Sequence, residues 1–369
     1  MWRRWQGPGP NSAARMRQLS EARADNEWLA SGPSVVQQGA LRDFDKSMSG
    51  FFKGTNRRPR WRKAGVDEGF VVRDLSVKRA SRRTGMVLIP KLGHVRFKLS
   101  RDWVAVEAAT SARVTRKSGQ WHVSFTTEVP AKIVAGTGAV VGIDRGVANS
   151  IATSDGIFDS VPGFSDLEEQ RMVALQQRLS RQVKGSNRRA RTKTAIGRLH
   201  LRRTNRRKDW VEKTTTDLAR TYDLIAIENL NIKAMMARPK PKPDPDEPGQ
   251  HLPNGASAKA GLNRGIAGSM WGLFEQRLSD KIGDRLIKVP ARNTSRECHE
   301  CHHISADNRE SQAVFECVNC GHQAHADINA AQVILSRALD PRKPTRGLSG
   351  ARTHQSRQRR VNQPQRTAV

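Results

Sequence analysis

The four cysteines of this 369-residue chain form two Cys-x-x-Cys pairs, Cys298-His-Glu-Cys301 and Cys317-Val-Asn-Cys320. Fifteen residues separate the pairs, which is the spacing of a zinc ribbon, where each pair binds the ion from a tight turn. Because four thiolates leave no open coordination position, we expect a structural Zn²⁺ ion. Four nearby histidines leave open the exchange of one cysteine ligand for histidine: His299, His302, His303 and His322.

Three acidic residues border apolar segments that are far apart in the sequence. Asp144 ends the segment AVVGID, Glu228 ends DLIAIE, and Asp327 begins the helical segment DINAAQVILSRAL. Adjacent parallel strands would bring the first two carboxylates to one sheet edge, where two divalent ions about 4 Å apart could lie between them. The order of strand acid, strand acid and helix acid favours a ribonuclease H-like nuclease, in which Mg²⁺ activates water for phosphodiester hydrolysis.

Each of these acids also has an ordinary structural explanation. Asp144 could pair with Arg145, Glu228 could be a loop acid beside Asn229, and Asp327 could be a helix N-cap. The pattern that the three share, rather than any one residue, predicts a nuclease centre.

Two basic helices are predicted between the strands that carry Asp144 and Glu228. Ser165 and Glu168 form a capping-box pattern at the start of the first helix, and a break is expected near Gly185-Ser186. Between residues 171 and 213, fifteen Lys or Arg residues accompany two acids. So much positive charge needs counter-charges, and phosphate is the natural source.

The first third of the chain is predicted to combine helices with short strands. A helix is expected at about 12–30, and a second, amphipathic one begins after Pro33. A series of short strands with turns between them indicates a small antiparallel barrel, with a hairpin at 117–119. These strands are expected at 86–90, 94–98, 102–108, 112–116 and 120–129. Further along, a Pro- and Gly-rich linker or lid is expected at 239–261 and a helix at about 265–283.

The chain carries 65 Lys and Arg against 35 Asp and Glu, a net charge of +30 and a pI near 11.2. A small metabolite does not call for this excess, whereas DNA or RNA does. No apolar run approaches the length of a membrane span, and the N-terminus lacks the apolar stretch of a secretory signal. We therefore expect a cytoplasmic protein with nucleic-acid partners and no membrane contact.

Three stretches resemble the TnpB (OrfB-type insertion-sequence transposase) family, which is related to the type V CRISPR effectors. They are GIDRGVANSIATSDG, AIENLNIKAM and the cysteine-rich segment from TSREC to AAQVIL, and the similarity extends from about residue 20 to 338. The resemblance implies that Asp144, Glu228 and Asp327 are a RuvC-like catalytic trio that uses Mg²⁺ or Mn²⁺, and that the four cysteines hold structural Zn²⁺. It also implies an RNA-guided DNA endonuclease whose partners are DNA and a guide RNA from the transposon end. Base pairing would then select the target, while the protein reads shape and a short adjacent motif.

The fold implied by the resemblance is α/β with β-barrel and helical parts. A ribonuclease H-like (RuvC) nuclease domain with an inserted zinc ribbon follows a small wedge-type β-barrel that carries a helical insertion. Two departures are notable: the family's first strand and helix have no counterpart before about Arg17, and His302 replaces a common Gly after Cys301. The expected order is a helical recognition segment without the first wedge strand (1–67), the wedge barrel (68–135), the RuvC-like domain with the basic helices in its first part (139–290), the zinc ribbon (291–322), the final RuvC-like helix (323–338) and a basic disordered tail (339–369).

Three other interpretations are compatible with part of the sequence. A noncutting regulator or transposition accessory of the same family would keep the basic surface without the cleavage activity. A basic zinc-ribbon protein bound to structural RNA would explain the charge and the cysteines but not the three acids. A transposase that uses tyrosine would need Tyr222, the single tyrosine, which precedes an apolar strand and is expected in the core. The oligomeric state, the guide sequence and the adjacent motif are not predicted.

Overall fold

The computed structural model describes residues 11–60, 65, 68–100, 102–128, 137–247, 249–311 and 313–340. The chain divides into two compact units, one of residues 1–131 and 164–202 and the other of residues 132–163 and 203–369. The tail expected at 339–369 lies outside the described residues beyond position 340. In the described part of the chain, no helix is both long enough and apolar enough to cross a membrane.

The first unit begins with three helices: α1 (Ser12–Asp25), α2 (Glu27–Ser31) and α3 (Ser34–Phe52). The helical stretch expected at about 12–30 is confirmed, as two helices separated by one residue. Asn26 lies between α1 and α2 in an extended conformation, and the Arg23 guanidinium holds this corner by donating to the carbonyl oxygens of Leu29, Ala30 and Gly32. The amphipathic helix after Pro33 is confirmed as α3, which packs on the first strand of the chain through the buried Gly39.

Six strands of the first unit form two three-stranded antiparallel sheets. One sheet has the order β1-β5-β6, from β1 (Gly69–Arg73), β5 (Ser111–Lys117) and β6 (Gln120–Thr126); the other has the order β2-β3-β4, from β2 (Val77–Ser81), β3 (Thr84–Ile89) and β4 (Gly93–Lys98). Val87 and Ile89 of one sheet share an apolar cluster with Val114 of the other, and the rings of Phe97 and Phe125 lie 5.0 Å apart in the same cluster. The described strands thus form two sheets around one core, where a single barrel was expected.

The strand predicted at 102–108 is wrong, because this segment forms a one-turn helix, α4 (Trp103–Glu107). Val106 is buried and Val104 is exposed, and five residues are too few for apolar periodicity to separate a helix from a strand. The predicted hairpin at 117–119 is confirmed. Ser118 and Gly119 both adopt left-handed backbone angles (φ 49° and 78°), as a two-residue turn between β5 and β6 requires.

The two predicted basic helices are confirmed as α5 (Asp166–Arg181) and α6 (Asn187–Thr221). Ser165 and Glu168 form the expected capping box at the start of α5. Residues 187–202 of α6 belong to the first unit, and residues 203–221 belong to the second.

The second unit is built on a five-stranded sheet with the order β13-β10-β7-β8-β9. Its strands are β7 (Val140–Asp144), β8 (Ile151–Thr153), β9 (Phe158–Asp159), β10 (Leu224–Glu228) and β13 (Leu286–Val289). Strand β10 pairs in parallel with both β7 and β13, whereas β8 and β9 are antiparallel additions at one side.

Alternating residues of the central strands are buried on opposite faces of this sheet. Helices α6 and α9 (Trp271–Ile282) cover the face that carries Ile143 and Ile227, and their Val211 and Phe274 are buried there. Helix α10 (Ala326–Leu339) covers the other face, where Ile334 packs against residues of β10 and β13. Both faces of the central strands are thus buried, which is typical of parallel strands.

The segment between β10 and α9 differs from expectation. It contains α7 (Ile232–Met235), a small hairpin of β11 (Lys242–Pro243) and β12 (His251–Leu252), and α8 (Ala256–Gly268). Part of the linker or lid expected at 239–261 is thus folded. The helix expected at 265–283 is two helices, because Met270 adopts a left-handed conformation (φ 57°) between α8 and α9. The ribbon segment adds the short strands β14 (Val314–Glu316) and β15 (Gln323–His325).

Strand β7 and helix α10 lie very close together at Gly142. A Cβ atom at this position would overlap the Ala331 carbonyl oxygen and lie 2.9 Å from the Leu335 Cβ. We predict that Gly142→Ala lowers the free energy of unfolding by about 1 to 3 kcal/mol, because either the strand or the helix must move. Urea unfolding followed by circular dichroism measures the change. Gly163→Ala is the matched control, since no atom lies within 4 Å of its added Cβ; an equal effect of both changes would contradict close packing as the cause.

Candidate active site

Asp144 and Glu228 lie side by side at the carboxyl edge of the sheet. Strands β7 and β10 are parallel neighbours with Ile143 opposite Ile227, so the acid that ends each strand comes next in register. The sequence-based expectation of two adjacent parallel strands is therefore confirmed. Glu228 is buried and Asp144 is half-buried, so both carboxylates are largely removed from solvent.

Asp327 joins the two strand acids from the first turn of α10. It is buried rather than serving as the N-cap: the capping residue is His325, whose Nδ1 accepts a hydrogen bond from the Asp327 backbone N–H at 3.2 Å. The Asp327 carboxylate accepts from Asn149 Nδ2 at 3.2 Å and lies 3.3 Å from the Arg309 guanidinium. The structure thus gives Asp327 a place beside the sheet edge that helix capping does not explain.

The carboxylates of the site repel one another. Burial raises the pKa of Asp144 to about 7, and the charges of Glu228 and Asp327 add to this effect, while Arg309 opposes it. Burial also raises the pKa of Glu228, against a hydrogen bond from Thr294 and the charge of Arg145. Burial thus disfavours the charged forms of both carboxylates in the metal-free fold, and carboxylate oxygens are the ligands that a hard divalent cation prefers.

Arg145 does not pair with Asp144, although the two are adjacent in sequence. Its side chain is fully buried; it forms a 3.0 Å ion pair with Glu275 on α9 and donates a second hydrogen bond to the Glu228 backbone carbonyl oxygen. Glu275 also pairs with Lys288 of β13. This network joins the ends of β7 and β10 to α9.

Glu228 is not a loop acid either, because it is the last residue of β10 and its side chain accepts a hydrogen bond from the buried Thr294 hydroxyl. Sequence reasoning missed Thr294, Asn149 and Arg309. Arg309 lies between the two cysteine pairs, and only the folded ribbon brings it to Asp327. Their residue types alone gave no signal, although the position of Asn149 just after the first acid was a hint.

The four cysteines meet at one point. Their sulfur atoms all lie within 4.8 Å of one another, with Sγ–Sγ distances of 3.7 Å for Cys298–Cys320 and 3.5 Å for Cys301–Cys317. Four thiolates about 2.3 Å from a tetrahedral zinc ion are roughly 3.8 Å apart, so the donor set and spacing fit Zn²⁺. Among the described residues, this is the one group of three or more potential ligands that is compact enough for a single ion.

The two cysteine turns share a left-handed residue directly after the pair, His302 (φ 58°) and Gly321 (φ 74°). His302 therefore adopts, at some conformational cost, the angle that a glycine adopts easily. Two of the candidate histidine ligands have other partners: the Nδ1 of His302 lies 3.1 Å from Glu297, and that of His299 lies 3.3 Å from Ser336.

The cysteine ribbon is attached to the helix that carries Asp327. Asn329, two residues further along α10, is fully buried; its Nδ2 donates to the Glu297 carbonyl oxygen at 2.8 Å, and its Oδ1 accepts from the His299 N–H at 3.0 Å. The Arg337 side chain of α10 also pairs with the Glu297 carboxylate. The first cysteine turn and Asp327 are thus held to the same helix.

The single tyrosine, Tyr222, lies in the core of the second unit. It precedes β10, whereas Glu228 is at the other end of that strand. Tyr222 is buried, and its hydroxyl donates to Asp155. Burial together with this hydrogen bond raises the pKa of Tyr222 to about 12. A buried tyrosine of this kind is unsuited to attack DNA, which agrees with its expected place in the core.

Comparison with known proteins adds an independent line of information. A family described as a probable transposase (OrfB_IS605) matches residues 122–238, and the Cas12f1-like TNB domain family matches residues 271–334. The chain is 32% identical over 317 residues to InsQ of Escherichia coli (strain K12), whose name proposes an RNA-guided DNA endonuclease; the match covers 85% of this chain and 76% of InsQ.

Two further comparisons cover CRISPR effectors. Over 62 residues, 17% of this chain and 15% of the relative, the sequence is 40% identical to the CRISPR-associated endodeoxyribonuclease Cas12f1 of Sulfoacidibacillus thermotolerans. A cryo-EM structure of a Cas12f1-sgRNA-target DNA complex aligns with a TM-score of 0.49 and 15% identity, over 82% of this chain and 71% of that one. Because the similarity to InsQ extends over most of both proteins and the transposase family matches within it, the chain belongs to the TnpB (OrfB-type insertion-sequence transposase) family, relatives of the type V CRISPR effectors.

Proposed function

We propose that this chain is an RNA-guided DNA endonuclease that hydrolyses phosphodiester bonds at Asp144, Glu228 and Asp327. The observation that carries the proposal is the meeting of these three acids at one sheet edge, with the pKa of Asp144 raised to about 7 by burial and by the other two carboxylates. Repulsion between carboxylates lowers the stability of the metal-free fold, whereas the same charges would attract a divalent cation to the site. The name of InsQ supports the choice of an RNA-guided DNA endonuclease over other nucleases.

Bound Mg²⁺ or Mn²⁺ would activate water and stabilise the oxygen that leaves phosphorus. The chain's own residues hold the ligands in place for this chemistry. The Thr294 hydroxyl orients Glu228, Asn149 orients Asp327, and Arg145 fixes the backbone at the end of β10. Arg309, which lies beside Asp327, is placed to attract the phosphate and to offset the charge of the strand that is cut.

The ribbon is proposed to hold a structural Zn²⁺ ion through Cys298, Cys301, Cys317 and Cys320. The close sulfur spacing supports this ligand set. The sheet of the second unit and α10 correspond to the proposed RuvC-like domain (139–290 and 323–338). The ribbon (291–322) is inserted in the sequence between these two parts. Helices α1 to α4 and the two sheets of the first unit are assigned to the proposed recognition segment and wedge (1–67 and 68–135), and the basic helices α5 and α6 to the first part of the proposed RuvC-like domain.

The proposed guide is tested by what the protein carries and cuts. We predict that the purified protein contains one discrete RNA from its own locus, and that duplex DNA is cut where a segment of that RNA can pair with it. Sequencing of the extracted RNA and cleavage with an exchanged guide segment measure both properties. Heterogeneous host RNA, or cleavage that does not depend on the guide, would contradict the proposal and favour a nonspecific nuclease. A discrete RNA without cleavage would favour the noncutting regulator.

The carboxylate site predicts opposite effects of one substitution on activity and on stability. The pKa of Asp144 is higher in the fold than the ordinary value of 3.8, so the metal-free fold loses stability as pH rises from about 4 to about 7. Asp144→Asn removes this penalty. We predict that it lowers cleavage by orders of magnitude but raises the Tm in EDTA by a few degrees, more at pH 8 than at pH 5. Adding Mg²⁺ or Mn²⁺ should raise the Tm of the unsubstituted protein but not the Tm of Asp144→Asn.

Two variants serve as controls for this prediction. Hydrogen bonds from Lys288 and Arg145 lower the pKa of Glu275 despite its burial, so Glu275→Gln should lower the Tm at pH 8. Glu169→Gln, an exposed change on α5, should leave cleavage unchanged. Glu228→Gln and Asp327→Asn should also lose cleavage while nucleic-acid binding persists. Full cleavage by any of the three active-site variants, or cleavage in EDTA, would refute the mechanism.

The zinc proposal predicts that Cys317→Ser abolishes zinc binding and loosens the ribbon, because metal binding and folding are coupled in small zinc modules. Asn329 and Arg309 connect the ribbon to α10 and Asp327, so cleavage should fall as well. Metal analysis and limited proteolysis of the ribbon measure these effects. His299→Ala is the control and should retain one zinc ion per chain; unchanged zinc content in Cys317→Ser would contradict the ligand assignment.

A further inference from the structure

The β5–β6 hairpin of the first unit presents a large aromatic side chain to solvent. Trp121, the second residue of β6, is 60% exposed, although the next residues on its side of the strand, Val123 and Phe125, join the core between the two sheets. Because most of its surface is exposed, the Trp121 side chain buries little apolar area and contributes little to the stability of the fold. It is, however, the side chain best suited to stack on a flat ligand.

The exposed indole is held in place by a charged neighbour. Arg116, its partner across the hairpin, places its guanidinium 5.8 Å from the centre of the Trp121 ring. Glu68 fixes this guanidinium through a 3.2 Å ion pair, and the pKa of Glu68 is lowered by the backbone N–H of Gly65 and by Arg116. The ring therefore has a fixed cation beside it while most of its surface remains open.

An exposed basic face of α6 borders the same hairpin. The turn packs on α6, where a Cβ at Gly119 would lie 3.7 Å from Thr194 Cγ2 and one at Gly197 would lie 2.8 Å from Ser118 Oγ. Thr194 shares one side of α6 with Asn187, Ala190, Arg191, Ala195 and Arg198.

This face of α6 combines small residues with arginines. Residues 187–202 of α6 contain no acid and six basic residues: Arg188, Arg189, Arg191, Lys193, Arg198 and Arg202. A polyanion could approach the helix backbone closely at the small residues while its phosphates meet Arg191 and Arg198. An aromatic platform next to a positively charged surface is the combination used to bind single-stranded nucleic acid.

We propose that Trp121 stacks on an unpaired base of single-stranded RNA, and that the exposed basic face of α6 binds the phosphates next to that base. The RNA assignment rests on the proposed function, because a guided nuclease holds its RNA before it meets DNA. A base in a duplex is stacked on both sides and cannot lie on an indole, so the surface should prefer unpaired RNA.

The test measures binding of the full-length, RNA-free protein to a fluorescein-labelled, unstructured RNA, to the same RNA in a duplex, and to DNA of the same sequence. Trp121→Leu should weaken binding of the unpaired RNA by about 5- to 100-fold. It should change duplex binding little, leave the salt dependence unchanged, and be rescued mostly by Trp121→Phe. Replacing Arg191 and Arg198 by Gln should lower the salt slope by about 1.4.

Trp28→Leu is the matched control, since Trp28 is 74% exposed in the same unit but is not part of the hairpin. An equal loss in Trp28→Leu, no loss in Trp121→Leu, or a larger loss for DNA than for RNA would overturn the proposal. If Trp121→Leu does not fold, ultraviolet crosslinking of the unsubstituted protein to the RNA replaces it. A crosslink in residues 120–126 supports the proposal, and its absence there overturns it.

These results are separable from those on the proposed function. Guide-dependent cleavage with unchanged RNA binding in Trp121→Leu would refute only the stacking surface. Loss of unpaired-RNA binding in a protein that cuts without a guide would refute only the guided mechanism.

Discussion

Parallel pairing of β7 with β10 is the constraint on which the site depends. Because parallel strands have their carboxyl ends at the same edge, one register places Asp144 beside Glu228, and a shift by one residue would turn one of the two acids to the opposite face. Burial on both faces maintains that register: α6 and α9 cover one side, and α10 covers the other. Gly142 lets α10 approach closely enough for its first turn to bring Asp327 to the same edge.

The strand pairing creates an electrostatic problem that the surrounding residues partly solve. Three acids lie close together, and the two nearest arginines have different tasks. Arg145 is buried beneath the strand ends, where it binds Glu275 and the backbone of Glu228. Arg309 reaches Asp327 from the ribbon, outside the sheet. Arg145 therefore stabilises the fold. Arg309 opposes the rise in the pKa of Asp144 but does not cancel it, so a bound cation would still be favourable beside Asp144.

The sequence was most informative where a local pattern determines the structure. The capping box at Ser165, the hairpin at Ser118-Gly119 and the apolar strands ending in Asp144 and Glu228 could all be predicted. The helix at Trp103–Glu107 could not, because one turn has no measurable period. The break at Met270 was also missed, since a left-handed residue other than glycine leaves no sequence signal. Thr294, Asn149 and Arg309 depend on contacts between distant segments, which no single stretch of sequence reveals.

Helix α10 follows in the sequence the strands that it covers, and this order affects folding during synthesis. During synthesis, β7, β10 and β13 leave the ribosome before α10, so the sheet face with Gly142, Ala226 and Val289 stays uncovered while the ribbon is translated. Such an uncovered apolar face can attract other chains until its cover arrives. The small side chains at Gly142 and Ala226 keep this temporary surface modest. The same order means that a nascent chain holds only two of the three acids, so the carboxylate site is completed only once α10 has emerged and folded.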